Sequence, residues 1–164
     1  MMDITQCGPD EWADLVDIFS EMERYHHPQA IIAAEQMAKY LKERVFPANS
    51  GTEIYKGMSD GRIVAFACVT ILYPVPRYSG QMFIKELFVS QSARRQGLGR
   101  QMMQFIAQRA QQKSCTHLDW LSVRDDKSVQ SFYASLGAKV VEEVNYHRLD
   151  HHFLTQLASN QDAG

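Results

Sequence analysis

With 164 residues, a formal net charge of −2, 45% hydrophobic and 22% charged side chains, the chain is long enough to bury a real core and carries no basic surplus for nucleic acid. No apolar run approaches a bilayer span, and the opening MMDITQCGPDEW lacks the basic-then-apolar order of a secretory signal, so no membrane partner and a cytoplasmic residence are predicted. Cys7, Cys68 and Cys115 are odd in number and lack metal-ligand spacing, which predicts neither a disulfide framework nor a metal site.

The predicted elements begin with an amphipathic helix. Trp12, Leu15, Val16, Phe19 and Met22 recur at helical spacing after Gly8-Pro9, with Asp10-Glu11 in the first turn. A break at His26-His27-Pro28 precedes a second helix predicted from about Ala30 to Phe46. Adjacent histidines point apart on regular elements and have no carboxylate at ligand spacing, so the pair reads as a surface or substrate-facing loop. A hairpin follows: Thr52 to Met58, a turn at Ser59-Asp60-Gly61-Arg62, and Ile63 to Leu72, ended by Pro74 and Pro76. Met82 to Val89 reads as a central strand, Leu98 to Lys113 as an amphipathic helix, and His117 to Val123 as another strand. Asp125-Asp126 supply N-cap chemistry for a helix carrying Val129, Phe132, Tyr133 and Leu136, stopped by Gly137. Short strands are predicted from Val140 and over Asn145 to Leu149, then a weak helix to about Leu157. The order predicts a mixed α/β domain, antiparallel early and parallel where strand-helix-strand crosses over.

Chemistry concentrates in Met82 to Arg100, MFIKELFVSQSARRQGLGR. Glycines flanked by arginines at a helix start offer backbone N–H groups and the positive end of a helix dipole to an anion. The nucleotide P-loop reading fails, because Gly99 is followed by Arg100-Gln101 rather than Lys-Ser/Thr. A dinucleotide fingerprint is poor, because Met102 stands where a third small residue is needed. A plain helix-start turn stays open on the glycine pattern alone.

Arg94-x-x-Gly97-x-Gly99 after the strand Glu86-Leu87-Phe88-Val89 resembles the acyl-coenzyme A diphosphate loop of the GNAT superfamily of N-acetyltransferases. Asp125 to Ala138, DDKSVQSFYASLGA, resembles the second signature of that superfamily, a helix carrying Phe-Tyr and ending at Leu-Gly. The resemblance spans nearly the whole chain and is strongest to the diamine and thialysine acetyltransferases, through Glu23-Arg24-Tyr25, Lys85 to Val89, and Tyr146-His147-Arg148-Leu149. It implies the GNAT acyltransferase fold, a central mixed sheet splayed between its two parallel strands and flanked by helices. One N-acetyltransferase domain over residues 1–158, a polar tail over 159–164 and a possible homodimer are implied with it.

The implied reaction moves an acetyl group from acetyl-coenzyme A, a co-substrate used without a metal, to a primary amine of a small molecule. A protein or peptide N-acetyltransferase and a non-catalytic acyl-coenzyme A sensor are the alternatives. The resemblance assigns coenzyme contacts to Leu87, Phe88, Val89, Arg94, Arg95, Gln96, Gly97, Leu98, Gly99, Arg100, Asp126 and Ser128. Glu86 is the candidate base or water-holder, against the plainer reading of a solvent-facing strand glutamate. Tyr133 is the candidate acid for the departing thiolate by the family pattern, although its helical stripe with Val129, Phe132 and Leu136 taken alone favours a core role. Glu23, Tyr25, His26 and Lys85 are the acceptor-side candidates, with Glu142 and Glu143 as further possibilities. Two departures stand out. Asp126 replaces a usual asparagine and cannot donate from its side chain, and Lys85 replaces an acidic residue of the polyamine enzymes. The lysine would suit an acceptor that carries a carboxylate or phosphonate beside its amine.

Overall fold

In the computed structural model, which describes residues 2–159, strands form wherever an apolar run has a neighbour to pair with. They are β1 (Asp3–Gln6), β2 (Glu53–Ser59), β3 (Arg62–Val75), β4 (Ser79–Val89) and β5 (Cys115–Trp120), in one five-stranded sheet of that spatial order. Neighbours from β1 to β4 are antiparallel, and β4 and β5 are parallel. The parallel pair follows from α3 (Leu98–Gln112), which carries the chain back across the sheet before β5 begins. The architecture is a mixed α/β fold with helices flanking a mixed sheet.

The β2–β3 hairpin turns at Asp60 (φ 50°) and Gly61 (φ 74°), consecutive left-handed residues whose twist matches the flanking strands. Helix α1 (Val16–His26) follows a 3₁₀ turn over Glu11–Leu15. It lays Ile18, Phe19 and Met22 on one face of the sheet, in a core with Leu15, Met37, Leu41, Ile54, Phe66, Cys68 and Phe88. Phe19 stacks on Phe66 with centroids 4.1 Å apart, an aromatic pair worth about 1 kcal/mol beyond its burial. Helix α3 buries Leu98, Met102, Met103, Ile106 and Ala110, and Phe105 meets the ring of the buried Tyr55 edge-on at 5.2 Å.

The chain divides after Val123 into two compact units. The second holds α4 (Lys127–Ser135) and α5 (His151–Ser159). Asp126 caps α4, its Oδ1 accepting the Val129 N–H at 3.1 Å. Gly137 (φ 91°) ends the helix with Ala138 N–H donating to Tyr133 O at 3.2 Å, the bond pattern of a left-handed glycine stop.

Three expectations differ from the structure, and one strand was not expected. The helix expected from Ala30 begins at Ala34 as α2 (Ala34–Tyr40) and continues as a wider turn over Leu41–Val45. Ile31 is 97% exposed and Ala33 is extended, so although Ile32 packs against the core the residues before Ala34 do not present a helical apolar face. Strand β3 runs past Pro74 to Val75, because the register is irregular between Leu72 and Val75 and the missing proline N–H is not needed there. β1 went unread, since DITQ offers a single apolar side chain. Finally, no strand forms over residues 138–150: Val140, Val141, Val144, Tyr146 and Leu149 are exposed and no ladder pairs them. Apolar, β-branched composition makes a strand only where a partner edge is supplied. The polar tail expected over 159–164 lies, apart from Ser159, outside the described residues.

Candidate active site

The site grows from a mismatch in length between β4 and β5. Their ladder ends at Ile84 opposite Trp120, whereas β4 runs on to Val89, so Lys85 to Val89 have no β5 partner. On the other edge β4 stays paired, and Ser90 N–H donates to Val64 O at 2.8 Å. Because backbone groups alternate sides along a strand, Phe88 and Glu86 also turn theirs to β3, leaving those of Leu87 and Val89 facing the open edge, where Val89 O already accepts from Arg94 Nε. The ring of Phe88 is core, 3% exposed.

A bulge sets which way the side chains aim. Glu86 pairs with Cys68 but Ile84 pairs with Val69, so Lys85 is the extra residue. Paired residues share a face, which puts Glu86 beside Cys68, Phe66 and Phe88 on the side covered by α1. Before the bulge, Met82 and Ile84 are buried on the other face. The extra residue thus moves a carboxyl onto the α1 side and leaves Lys85 exposed next to it.

Electrostatics identify the neighbours of that carboxyl. Desolvation raises the pKa of Glu86 above the ordinary carboxylate value; His26 and Lys85 pull it down, and Glu23 pushes it up. Glu23 is half-buried and His26 exposed at the end of α1. Of the predicted acceptor and catalytic residues, Glu23, His26, Lys85 and Glu86 therefore share one electrostatic neighbourhood. Cys68, opposite Glu86, is a buried thiol held strongly protonated.

After β4 a short 3₁₀ turn (Gln91–Ala93) leads into the glycine segment. Arg95 (φ 63°) and Gly97 (φ 75°) are both left-handed, and α3 begins at Leu98 with no side-chain cap on its first turn. The first bond into the helix is Gln101 N–H to Gly97 O at 3.2 Å. Leu98 and Gly99 N–H groups, nearer the helix start, have no acceptor within the helix. A Cβ added at Gly97 would meet nothing within 4 Å, so the concave side of the turn is open. Arg95, Gln96, Gly97 and Arg100 are exposed around it. Alternating left-handed residues ahead of an uncapped helix start form an amide nest, and its donors with two flanking guanidinium groups suit a diphosphate. Arg94 is turned elsewhere: its Nε donates to Val89 O at 3.0 Å.

Across residues 12–138 the sequence matches the model of the acetyltransferase (GNAT) family. The chain belongs to the GNAT acetyltransferase family. Among solved structures it is similar to an integron cassette protein from the mobile metagenome of V. cholerae, with 35% identity over 96% of this chain and 98% of that one and a TM-score of 0.92. At fold level it is also similar to the ribosomal-protein-alanine N-acetyltransferase from Brucella melitensis biovar Abortus 2308 (15% identity, 91% and 100% covered, TM-score 0.69). AAC(6')-Iy in complex with the bisubstrate analog CoA-S-monomethyl-acetylneamine shares the fold as well (18% identity, 92% and 99% covered, TM-score 0.67). Among curated proteins none matches. Members of the GNAT family use acetyl-coenzyme A, and the open edge and amide nest of this acetyltransferase have the chemistry to receive its amide-bearing arm and diphosphate. No described helix is long and apolar enough to cross a membrane.

Tyr133, Asp126 and Ser128 belong to the second unit. Tyr133 is half-buried on α4 with its ring 5.3 Å from that of Phe132. Asp126 serves as the helix cap described above, and Ser128 is exposed in the first turn. Sequence reasoning missed Glu21, whose carboxylate accepts from Ser90 Oγ (2.9 Å) and Gln91 N–H (3.1 Å) and ties α1 to the end of β4. A glutamate at a helical i position gives no signal of that kind.

Proposed function

We propose that this GNAT acetyltransferase moves the acetyl group of acetyl-coenzyme A to the primary amine of a small molecule, by direct attack in a ternary complex. The supporting observation is a half-buried carboxyl, Glu86, on the strand segment that β5 leaves unpaired. The obstacle in the reaction is the acceptor itself. An alkylammonium with pKa about 10.4 is almost wholly protonated at pH 7, a deficit of about 4–5 kcal/mol against the free amine. A carboxylate with a raised pKa beside that amine is a suitable proton acceptor, directly or through a water it holds.

The coenzyme supplies an activated acetyl carbon bonded to sulfur. The ammonium first gives one proton to Glu86, which passes it to solvent. The amine nitrogen then bonds to the acetyl carbon as the carbon–sulfur bond breaks, the thiolate takes a proton from the phenol of Tyr133, and the second proton shed by the nitrogen restores that phenol through solvent. Leu87 and Val89, with backbone groups facing the open edge, hold the extended arm. Amides of Gln96, Gly97, Leu98 and Gly99, with Arg95 and Arg100, take the diphosphate. The assignment of Tyr133, and of Asp126 and Ser128 as coenzyme contacts, rests on the Phe-Tyr…Leu-Gly pattern.

Glu23, His26 and Lys85 face the acceptor in this reading. Lys85 places a cation among the carboxyls of Glu86 and Glu23, which favours an amine that also carries an anionic group over a long polycation. Incubation with acetyl-coenzyme A and a panel of diamines, amino acids, aminoalkyl phosphonates and peptides, with release of free thiol followed, tests the function. Thiol release with small amines supports it. Release with peptides alone points to a protein N-acetyltransferase, and tight coenzyme binding with no release points to a sensor. The resemblance also carries a homodimer, which sedimentation equilibrium would show as twice the chain mass.

A further inference from the structure

Arg94 opens the Arg-x-x-Gly-x-Gly turn and from sequence reads as a phosphate ligand. Its guanidinium is committed elsewhere. Besides the bond from Nε to Val89 O (3.0 Å), its carbon centre lies 4.3 Å from the ring centroid of Tyr25 and 5.4 Å from that of Phe88. Those two rings are themselves in contact, with centroids 6.0 Å apart. A planar cation lying on an aromatic face, anchored by one N–H to a carbonyl, gives up both contacts if it swings toward an anion. Arg95 is exposed in the turn and carries no such commitment.

Tyr25 connects this packing to the acceptor side. It sits in the last turn of α1 between Glu23 and His26, the residues that share the electrostatic surroundings of Glu86. One turn earlier, Glu21 binds Ser90 Oγ and Gln91 N–H. The end of α1 is therefore fastened at two separate points to the segment between the open strand and the glycine turn. We propose that Arg94 is a positioning residue for the acceptor amine, not a ligand of the diphosphate. It fixes Tyr25 and the end of α1 to the segment that leads into the coenzyme turn. The role rests on the acetyltransferase reading above. A consequence is coupling: a ligand that orders the glycine turn also orders the acceptor-side end of α1.

The test compares Arg94→Lys, Arg94→Gln and Tyr25→Leu in three measurements: coenzyme A affinity by calorimetry, kcat and KM for the best amine, and hydrogen exchange of amides 22–27. Lysine keeps the charge but not the plane or the Nε–H, so both Arg94 variants are expected to behave alike. Coenzyme A affinity should stay within about twofold of wild type, KM for the amine should rise about tenfold, and exchange at 22–27 should accelerate. Arg94→Lys combined with Tyr25→Leu should be no worse than the worse single variant, as a shared contact requires. About tenfold weaker coenzyme A binding in Arg94→Gln, whether or not Arg94→Lys restores it, would overturn the proposal, because a diphosphate ligand would then have lost its charge-assisted bonds to the anion. Unchanged exchange at 22–27 in every variant would overturn it too. Wild-type protein that binds coenzyme A and acetylates no amine would remove the acetyltransferase reading. The exchange measurement still decides the role of Arg94 in that case, since it needs no turnover.

Discussion

Glu86, the proposed base, is also a half-buried carboxyl that the fold must accommodate. Half-burial favours its neutral form, so the folded protein holds that proton to a higher pH than the unfolded chain does. More protons bound in the folded state means that this group's contribution to stability falls as pH rises from the ordinary carboxylate range through the raised value. Wherever the carboxyl is ionised it is thus a cost to the fold, and in the proposed reaction that ionised form is the proton acceptor. Glu86→Gln should raise the melting temperature by about 1–3 °C at pH 7 while lowering kcat/KM about 10²–10³-fold. Calorimetry and steady-state rates on the same preparation check both signs; a less stable variant with full activity contradicts the assignment. Lys85, the bulge residue beside it, is a specificity test. Lys85→Glu should shift the kcat/KM ratio of amino acids to diamines toward diamines by about tenfold, as loss of one charge-assisted contact predicts. An unmoved ratio would exclude an anionic group on the acceptor from contact with Lys85.

Among the elements, the glycine turn and its helix were the most legible from sequence. Strand, glycines and amphipathic helix follow one another without a gap, so local pattern and final structure agree. The α4 cap was equally legible, because Asp126 and Gly137 have position-specific backbone jobs that the sequence spells out. The bulge at Lys85 was not. It depends on how β3 and β4 align, and MFIKELFV reads as an uninterrupted strand. Only the bulge shows that Glu86 lies under α1 rather than in solvent, which the sequence had left open. The stacking of Arg94 on Tyr25 joins residues far apart in the chain and has no local signature. The expected strands after Val140 failed for the converse reason, since composition cannot supply a partner edge. Two substitutions test the element-level account. Gly97→Ala should cost about 1 kcal/mol through its left-handed backbone alone, since the added Cβ meets no neighbour, and should weaken coenzyme A binding. Asp126→Ala should cost about 1 kcal/mol of stability by removing the bond to Val129 N–H. Thermal melts with and without coenzyme A separate the two effects.

At the scale of the molecule, a strand end that its parallel neighbour abandons leads into a helix start without a side-chain cap. The unpaired edge of β4 offers backbone groups to an extended chain, and the amide nest ahead of α3 offers donors to a diphosphate. Tyr133, in the second unit, is proposed as the acid for the thiolate. Tyr133→Phe should lower kcat about 10²–10³-fold and leave coenzyme A affinity within about twofold, a split that pre-steady-state thiol release and calorimetry would show. An unchanged kcat removes Tyr133 from the reaction. The most direct measurement is a crystal structure of the protein with acetyl-coenzyme A. The account predicts diphosphate oxygens about 3 Å from the N–H groups between Gln96 and Gly99, and the amide-bearing arm bonded to the backbone of Leu87 and Val89. A diphosphate bound away from that turn, or an arm that leaves the β4 edge bare, would contradict it.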